Sequence, residues 1–277
     1  MATIVGTSLR DILFGTINTD LLYGLAGNDI LVGSVGNDTL NGGSGFDTAD
    51  YSILGGPISL RSQGIVSKGA LGQDQIFEME RIVGAAGFNN LIDGSVSGQQ
   101  STSFRVNLEQ QVLTINGVPG IGSTNFQVVN FVNVIGTKNG DVVVGDARSN
   151  FLAGGAGDDA INGGAGDDII DGGTGSSFLT GGAGRDDFYI DARGGATTWS
   201  TITDWTAGER LVVWGWNPGQ SKVLLMVENA GAEGFRGATM HADIDGNGAI
   251  DTSVTFSGLS LSQVAAPLEL DGLLWFI

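Results

Sequence analysis

Acidic residues fall every nine positions in two stretches of this chain, and that register constrains the fold more tightly than any local propensity. Asp11, Asp20, Asp29, Asp38 and Asp47 form the first run, and Asp141, Asn150, Asp159, Asp168, Ser177 and Asp186 hold the same register in the second. The fullest copies read GGSGFDTAD from Gly42, GGAGDDAIN from Gly154, GGAGDDIID from Gly163 and GGAGRDDFY from Gly181. A period this strict makes each copy one structural unit that cannot bury its apolar residue alone and must stack on its neighbours. The glycine-rich first six positions read as turn, because glycine adopts positive-φ conformations that a Cβ obstructs, and the last three read as strand. Two residues after each register position comes an inward apolar one: Leu13, Leu22, Leu31, Leu40 and Ala49, then Val143, Leu152, Ile161, Ile170, Leu179 and Phe188. This alternation predicts a flattened parallel solenoid with two copies per coil, so residues eighteen apart stack on one edge.

Such stacking places Asp11 over Asp29 over Asp47, and Asp20 over Asp38, where the carboxylates repel one another. A hard divalent cation answers that repulsion, and calcium accepts roughly six to eight oxygen ligands from carboxylates and turn carbonyls. The chain has no cysteine and a single histidine, His241, so zinc and softer metals lack their preferred ligands. Residues 1–50 carry six acidic and one basic side chain and residues 136–191 carry ten and three, against five and four in residues 51–135. The negative excess is thus concentrated in the repeats. A net charge of −18 argues against nucleic acid and anionic membrane surfaces as partners. No apolar run approaches the roughly 18 residues of a transmembrane segment.

These residues resemble the RTX proteins, whose GGxGxDxUx nonapeptides build calcium-bound parallel β-rolls. The resemblance covers residues 6–50 and 136–189. It implies several calcium ions, each held between stacked turns by Asp side chains eighteen apart and by carbonyls of the turn glycines. The pairs are Asp29 with Asp47, Asp20 with Asp38, Asp141 with Asp159, and Asp168 with Asp186. Turn ligands are expected from Gly24, Gly42, Gly45, Gly154, Gly157, Gly163, Gly166, Gly181 and Gly184, with Asp11 and Asn150 as outlying members. The turns GTSLRD and GTINTD before Asp11 and Asp20 lack the second and fourth-position glycines, Asn150 lacks the charge, and Ser177 is a poor substitute. Calcium is expected to be weak or missing at those places.

The family also implies export by a type I secretion apparatus. The first residues, MATIVGTSLRDILF, lack the basic n-region of a cleaved signal peptide. The last, Leu268 to Ile277, place an acidic residue before a bulky apolar tail, as in the uncleaved C-terminal signal of such proteins. The expected location is extracellular.

Between the arrays, Gln75–Gly84 matches Gln127–Gly136 with its apolar positions mostly in step. The first copy runs into GAAGFNNLI, read as a degenerate coil with Asn89 in the acidic register and Leu91 inward, and therefore without an ion. Alternating segments at 58–61, 104–108 and 112–117 predict β-hairpins. The expected division is a first array in 1–50, duplicated hairpin insertions in 51–135, a second array in 136–191 and a β-rich capping domain in 192–277. All five tryptophans lie in that last segment, where an aromatic core is favoured over a glycan site. Asp243 to Asp251 matches the first half of an EF-hand loop, but Val254 stands where the bidentate Glu belongs, so a hairpin turn is expected.

The fold class expected is therefore all-β: a calcium-bound parallel β-roll interrupted by hairpin insertions and closed by a C-terminal β cap. No H-E-x-x-H or G-x-S-x-G motif occurs, and Asp204, Glu209, Glu228 and Glu233 show no spacing that singles out a catalytic pair. A non-enzymatic, secreted, calcium-folded protein with a structural, surface or matrix role is the leading reading. A calcium-dependent glycan-binding module or adhesin, with polysaccharide or cell-surface components as partners, is the alternative. A pore former or a carboxylate-only hydrolase ranks below both.

Overall fold

The computed structural model describes residues 1–95, 102–193 and 195–276. Among them the regular elements are β-strands and two short 3-10 segments, Ser62–Gly64 and Gly69–Leu71. The chain divides into two compact units, Met1–Ile135 and Gly136–Ile277. No helix among the described residues is long and apolar enough to cross a membrane.

In the first unit one sheet runs Ala2–Val5, Asp20–Tyr23, Thr39–Asn41, Gln73–Phe77, Ile65–Ser67, Ser59–Arg61, Asn90–Asp93, Phe131–Ile135. The other runs Ile12–Phe14, Ile30–Val32, Thr48–Asp50, Arg81–Val83, Gly122–Val129, Val112–Val118, Ser103–Asn107. The nonapeptide strands pair in parallel at eighteen residues: Leu13 with Leu31, Leu31 with Ala49, and Leu22 with Leu40. Successive side chains on a strand face opposite ways, so the middle residue of each three-residue strand points inward. Leu22, Leu31, Leu40 and Ala49 are fully buried as a result.

The eighteen-residue spacing breaks where the insertions begin. Thr39 pairs with Gln75, and Thr48 with Arg81. The intervening chain forms an antiparallel meander, Ser59–Arg61 against Ile65–Ser67 against Gln73–Phe77, laid into the same sheet. Ser103–Asn107, Val112–Val118 and Gly122–Val129 repeat the device in the other sheet. The duplicated sequences share a turn residue of positive φ after a strand, Glu78 at 51° and Asn130 at 63°; the next strand begins at Arg81 in the first copy and directly at Phe131 in the second. Ile82 and Val134 are the matching buried positions.

One sequence assignment shifts. The register position of the degenerate coil is Asn90, not Asn89, and the inward residue is Ile92, not Leu91; Asn90 and Ile92 are buried. From Gly84 to Asn90 is six residues, against five from Gly163 to Asp168, and the longer turn carries the following residues one place on. Asn90 then satisfies itself. Its amide donates to the carbonyls of Ala85 (2.8 Å) and Asn130 (2.7 Å), while its oxygen accepts from Ile58 N–H (3.0 Å).

In the second unit the sheets run Phe151–Ala153, Ile169–Asp171, Asp187–Asp191, Arg210–Trp214, Leu273–Phe276, Leu268–Leu270, and Val142–Val144, Ala160–Ala165, Phe178–Ala183, Thr198–Ile202, Thr252–Ser257, Gly237–Asp243, Lys222–Ala230. Parallel stacking does not stop at 191, because Phe188 pairs with Leu211 and Leu179 with Ile202. Antiparallel strands follow on both sheets. Trp205 packs 6.1 Å from Phe188 and 5.1 Å from Phe256, whose ring lies 5.2 Å from Phe276. His241 is a packed strand residue, its Nδ1 2.7 Å from Ser253 Oγ, and burial lowers its pKa. Ile277, the last residue of the apolar tail, lies outside the described residues.

Ile170→Ala, at a fully buried position, is expected to cost about 2–5 kcal/mol in urea unfolding of the calcium-saturated protein. Its outward neighbour Ile169, 40% exposed, should change stability by within about 0.5 kcal/mol when made Ala.

Candidate metal centre

Each register carboxylate does two jobs with its two oxygens. Oδ1 accepts the backbone N–H of the register residue one coil earlier: Asp11 N–H donates to Asp29 (2.8 Å), Asp20 to Asp38 (2.9 Å) and Asp29 to Asp47 (2.7 Å). The second unit repeats this with Asp141 to Asp159 (2.8 Å), Asn150 to Asp168 (2.7 Å) and Asp168 to Asp186 (2.9 Å). At Ser177 the hydroxyl takes over the role, accepting Asp159 N–H at 3.2 Å. These N–H groups face inward at the end of a turn and have no strand partner, so the side chain of the next coil supplies one.

The second oxygen divides the positions into two groups. Oδ2 of Asp29, Asp47, Asp159, Asp168 and Asp186 is buried with no hydrogen-bond partner. At Asp11, Asp20 and Asp141 a threonine just after the opening glycine closes the turn instead. Thr7, Thr16 and Thr137 each donate a backbone N–H at 2.6 Å to Oδ2, and each hydroxyl donates as well. Asp38 Oδ2 accepts from Ser34 and Lys68, and Asn150 Oδ1 accepts Asp146 N–H at 2.9 Å. Thus the structure puts Asp11, Asp20, Asp38, Asp141 and Asn150, all candidates by sequence, against protein donors.

The opening glycines shape the remaining sites. A Cβ on Gly163 would collide with both Asp168 Oδ2 and the Gly181 carbonyl, and one on Gly24 with Asp29 Oδ2 and the Gly42 carbonyl. Two oxygens from successive coils therefore converge on the space that only glycine leaves open. A Cβ on Gly42 would meet Asp47 Oδ2 and the Glu78 carbonyl, and one on Gly154 or Gly181 would meet Oδ2 of Asp159 or Asp186. Gly45, Gly157, Gly166 and Gly184 keep the turn in positive φ, between 107° and 149°. Unpartnered buried carboxylate oxygens facing a backbone carbonyl across such a gap suit a hard cation with oxygen ligands.

The RTX calcium-binding nonapeptide repeat matches residues 14–49, 135–170 and 162–192. The two arrays are RTX calcium-binding repeats. No curated protein matches the chain. The extracellular lipase LipA from Serratia marcescens is similar over 95% of this chain, at 17% identity and a TM-score of 0.34; the chain spans 38% of that lipase.

Three residues extend the RTX columns without fitting the nonapeptide. Asp74 accepts Asp38 N–H at 2.9 Å through Oδ1, its Oδ2 being buried without a hydrogen-bond partner, and Glu80 accepts Asp47 N–H at 2.7 Å. Glu209 is buried with Oε1 unpartnered, one coil beyond Asp186. They lie 36, 33 and 23 residues after their register partners, which hides them from a search at eighteen. The signal was present all the same: Ile76, Ile82 and Leu211 follow them by two residues and are buried. Outside the RTX columns, Asp243, Asp245 and Asp251 gather at a hairpin turn. Asp243 accepts Gly246 and Gly248 N–H, and Asp251 accepts Ile244 N–H.

Burial raises the pKa of Asp47 and Asp186, with neighbouring carboxylates adding to the shift. Asp159 and Asp168 are pushed up to about 7, first by burial and then by repulsion from Asp141 and Asp186 respectively. By contrast the Thr16 hydroxyl and N–H lower the pKa of Asp20. Asp159 and Asp168 titrate near 7 in the folded metal-free coil against an ordinary value of 3.8, so the folded state holds more protons between those values and loses stability as pH rises through them. In chelator, whatever β content the second RTX array keeps should decline between about pH 4.5 and about pH 7.5. With millimolar calcium the trend should reverse, because the ion needs the deprotonated ligand. Circular dichroism across that range checks both signs.

Proposed function

We propose that the chain is a secreted calcium-binding protein whose RTX arrays fold when calcium becomes available, with a structural role at a cell surface or in a matrix and no catalytic role. The observation that carries this reading is the set of buried, unpartnered Oδ2 atoms on Asp29, Asp47, Asp159, Asp168 and Asp186. An unpaired carboxylate withdrawn from water costs several kcal/mol, so a metal-free column of them opposes folding. An ion bound to them and to turn carbonyls such as those of Gly42 and Gly181 reverses that cost, and its binding energy becomes folding energy. On this reading residues 1–50 and 136–191 take the ions, while 51–135 and 192–277 fold mainly by apolar packing. Occupancy is strongest at Asp29 with Asp47 and at Asp168 with Asp186. It is weak where Thr7, Thr16 and Thr137 already fill Oδ2. Low calcium inside a cell keeps the arrays loose enough for type I export, and higher calcium outside folds them.

Far-UV circular dichroism during a calcium titration tests this reading; a fully β spectrum in chelator that calcium leaves unchanged would overturn it. Asp168→Asn is expected to remove at least one ion from the calorimetric count. Asp20→Asn, at a threonine-capped position, should leave the count unchanged.

A second reading, calcium-dependent glycan contact, has one observation behind it: Trp199 and Trp214 remain 41% and 37% exposed. A glycan array with and without calcium should give saccharide-selective binding that Trp199→Ala or Trp214→Ala abolishes. A flat array leaves the structural reading.

A further inference from the structure

One edge of the first unit meets the charge problem without an ion. Lys68 follows the strand Ile65–Ser67 in the first insertion, and its side chain is fully buried. Its ammonium donates to the Ser34 carbonyl (2.5 Å), to Asp38 Oδ2 (3.4 Å) and to Asp74 Oδ1. An ammonium has three N–H donors, and here each has an oxygen.

Those oxygens are of the kind that converge in the RTX sites: carboxylates from two successive coils and the carbonyl of a turn. Asp38 and Asp74 are consecutive members of one column, because Asp20 N–H donates to Asp38 Oδ1 and Asp38 N–H to Asp74 Oδ1, both at 2.9 Å. The lining beside this place differs as well. At Gly24 or Gly163 the would-be Cβ faces an Asp oxygen and a carbonyl; at Gly33 it would meet the ring of Tyr51, which is fully buried. The insertion supplies both Lys68 and Tyr51.

We infer that Lys68 is a built-in cation that takes the place of calcium between Asp38 and Asp74, so that this edge of the first unit is independent of calcium. The inference rests on the calcium reading of the RTX columns and adds a boundary to it. The Asp20–Asp38 edge ends in a covalently supplied positive charge, and the ion count of the first unit falls accordingly. Lysine suits this place because its ammonium is a compact point charge on a flexible stem, whereas the planar guanidinium of arginine demands more room.

The test is the number of calcium ions bound by the full chain, read by native mass spectrometry and calorimetry, for the unaltered protein and for Lys68→Met. Methionine keeps the stem length and removes the charge. Lys68→Met is expected to bind one ion more than the unaltered chain and to need calcium for order in the first insertion. Equal counts with the same calcium midpoint overturn the inference while leaving the calcium reading intact. An unaltered chain that binds no calcium overturns both. Should Lys68→Met fail to fold even in calcium, amine acylation of the unaltered protein decides. The chain has three lysines, and Lys138 and Lys222 are exposed. Lys68 should resist modification in chelator as well as in calcium, while the other two react. Lys68 reacting as fast as they do in either condition overturns the inference.

Discussion

Everything in the two arrays depends on a side chain doing the work of a strand partner. The N–H of each register residue lies where the turn ends and the ladder has not begun, and the carboxylate of the following coil accepts it at 2.7–2.9 Å across most of both columns. That bond fixes coil upon coil and draws a negative charge into the interior. The remaining features answer this one act of burial. Threonines fill the spare oxygen in some turns, a lysine fills it in one, an asparagine amide removes the charge in the ion-less coil, and the other turns present an open oxygen to a cation.

The architecture was legible because its signal is periodic. The inward residues named from spacing within the two arrays, among them Leu22, Leu40, Ile161, Ile170 and Phe188, are all buried, since a three-residue strand has only one position that can point inward. What escaped notice was whatever broke the interval. Asp74, Glu80 and Glu209 belong to the columns but sit beyond insertions of different length, and Asn90 was displaced from Asn89 by a single extra turn residue. Within the candidate sites, the missed distinction lay at the second turn position. Thr137 closes Asp141, which the sequence pairs with Asp159 as a full site, because a hydroxyl and an N–H reach the same oxygen. Lys68 was unreadable in a different sense: nothing in its neighbourhood in sequence announces that a hairpin will deliver it to Asp38.

The insertions show how a repeat structure accommodates foreign chain. Each meander enters and leaves at a turn, and the strands after it resume the parallel pairing, Arg81 beside Thr48 and Leu91 beside Ser59. Because a coil contacts only its neighbours, an addition costs little beyond its own ordering. Within the second unit the same tolerance extends the stacking past the repeats, with Ser200 Oγ accepting Ser177 N–H and Glu209 one coil beyond Asp186, both at a longer interval, and an aromatic cluster forming around Trp205.

The carboxylate ladder has a polarity. Along it Oδ1 accepts the register N–H of the coil before, so each such N–H is satisfied by its successor, while Asn28, Asp158 and Asp167 in the turns accept from Phe46, Ser176 and Arg185 of the coil after. Order in such a column is inherited from the C-terminal side, as in a row of tiles each locked by the next one laid. The register N–H of the last coil of an array therefore needs a lock of another kind.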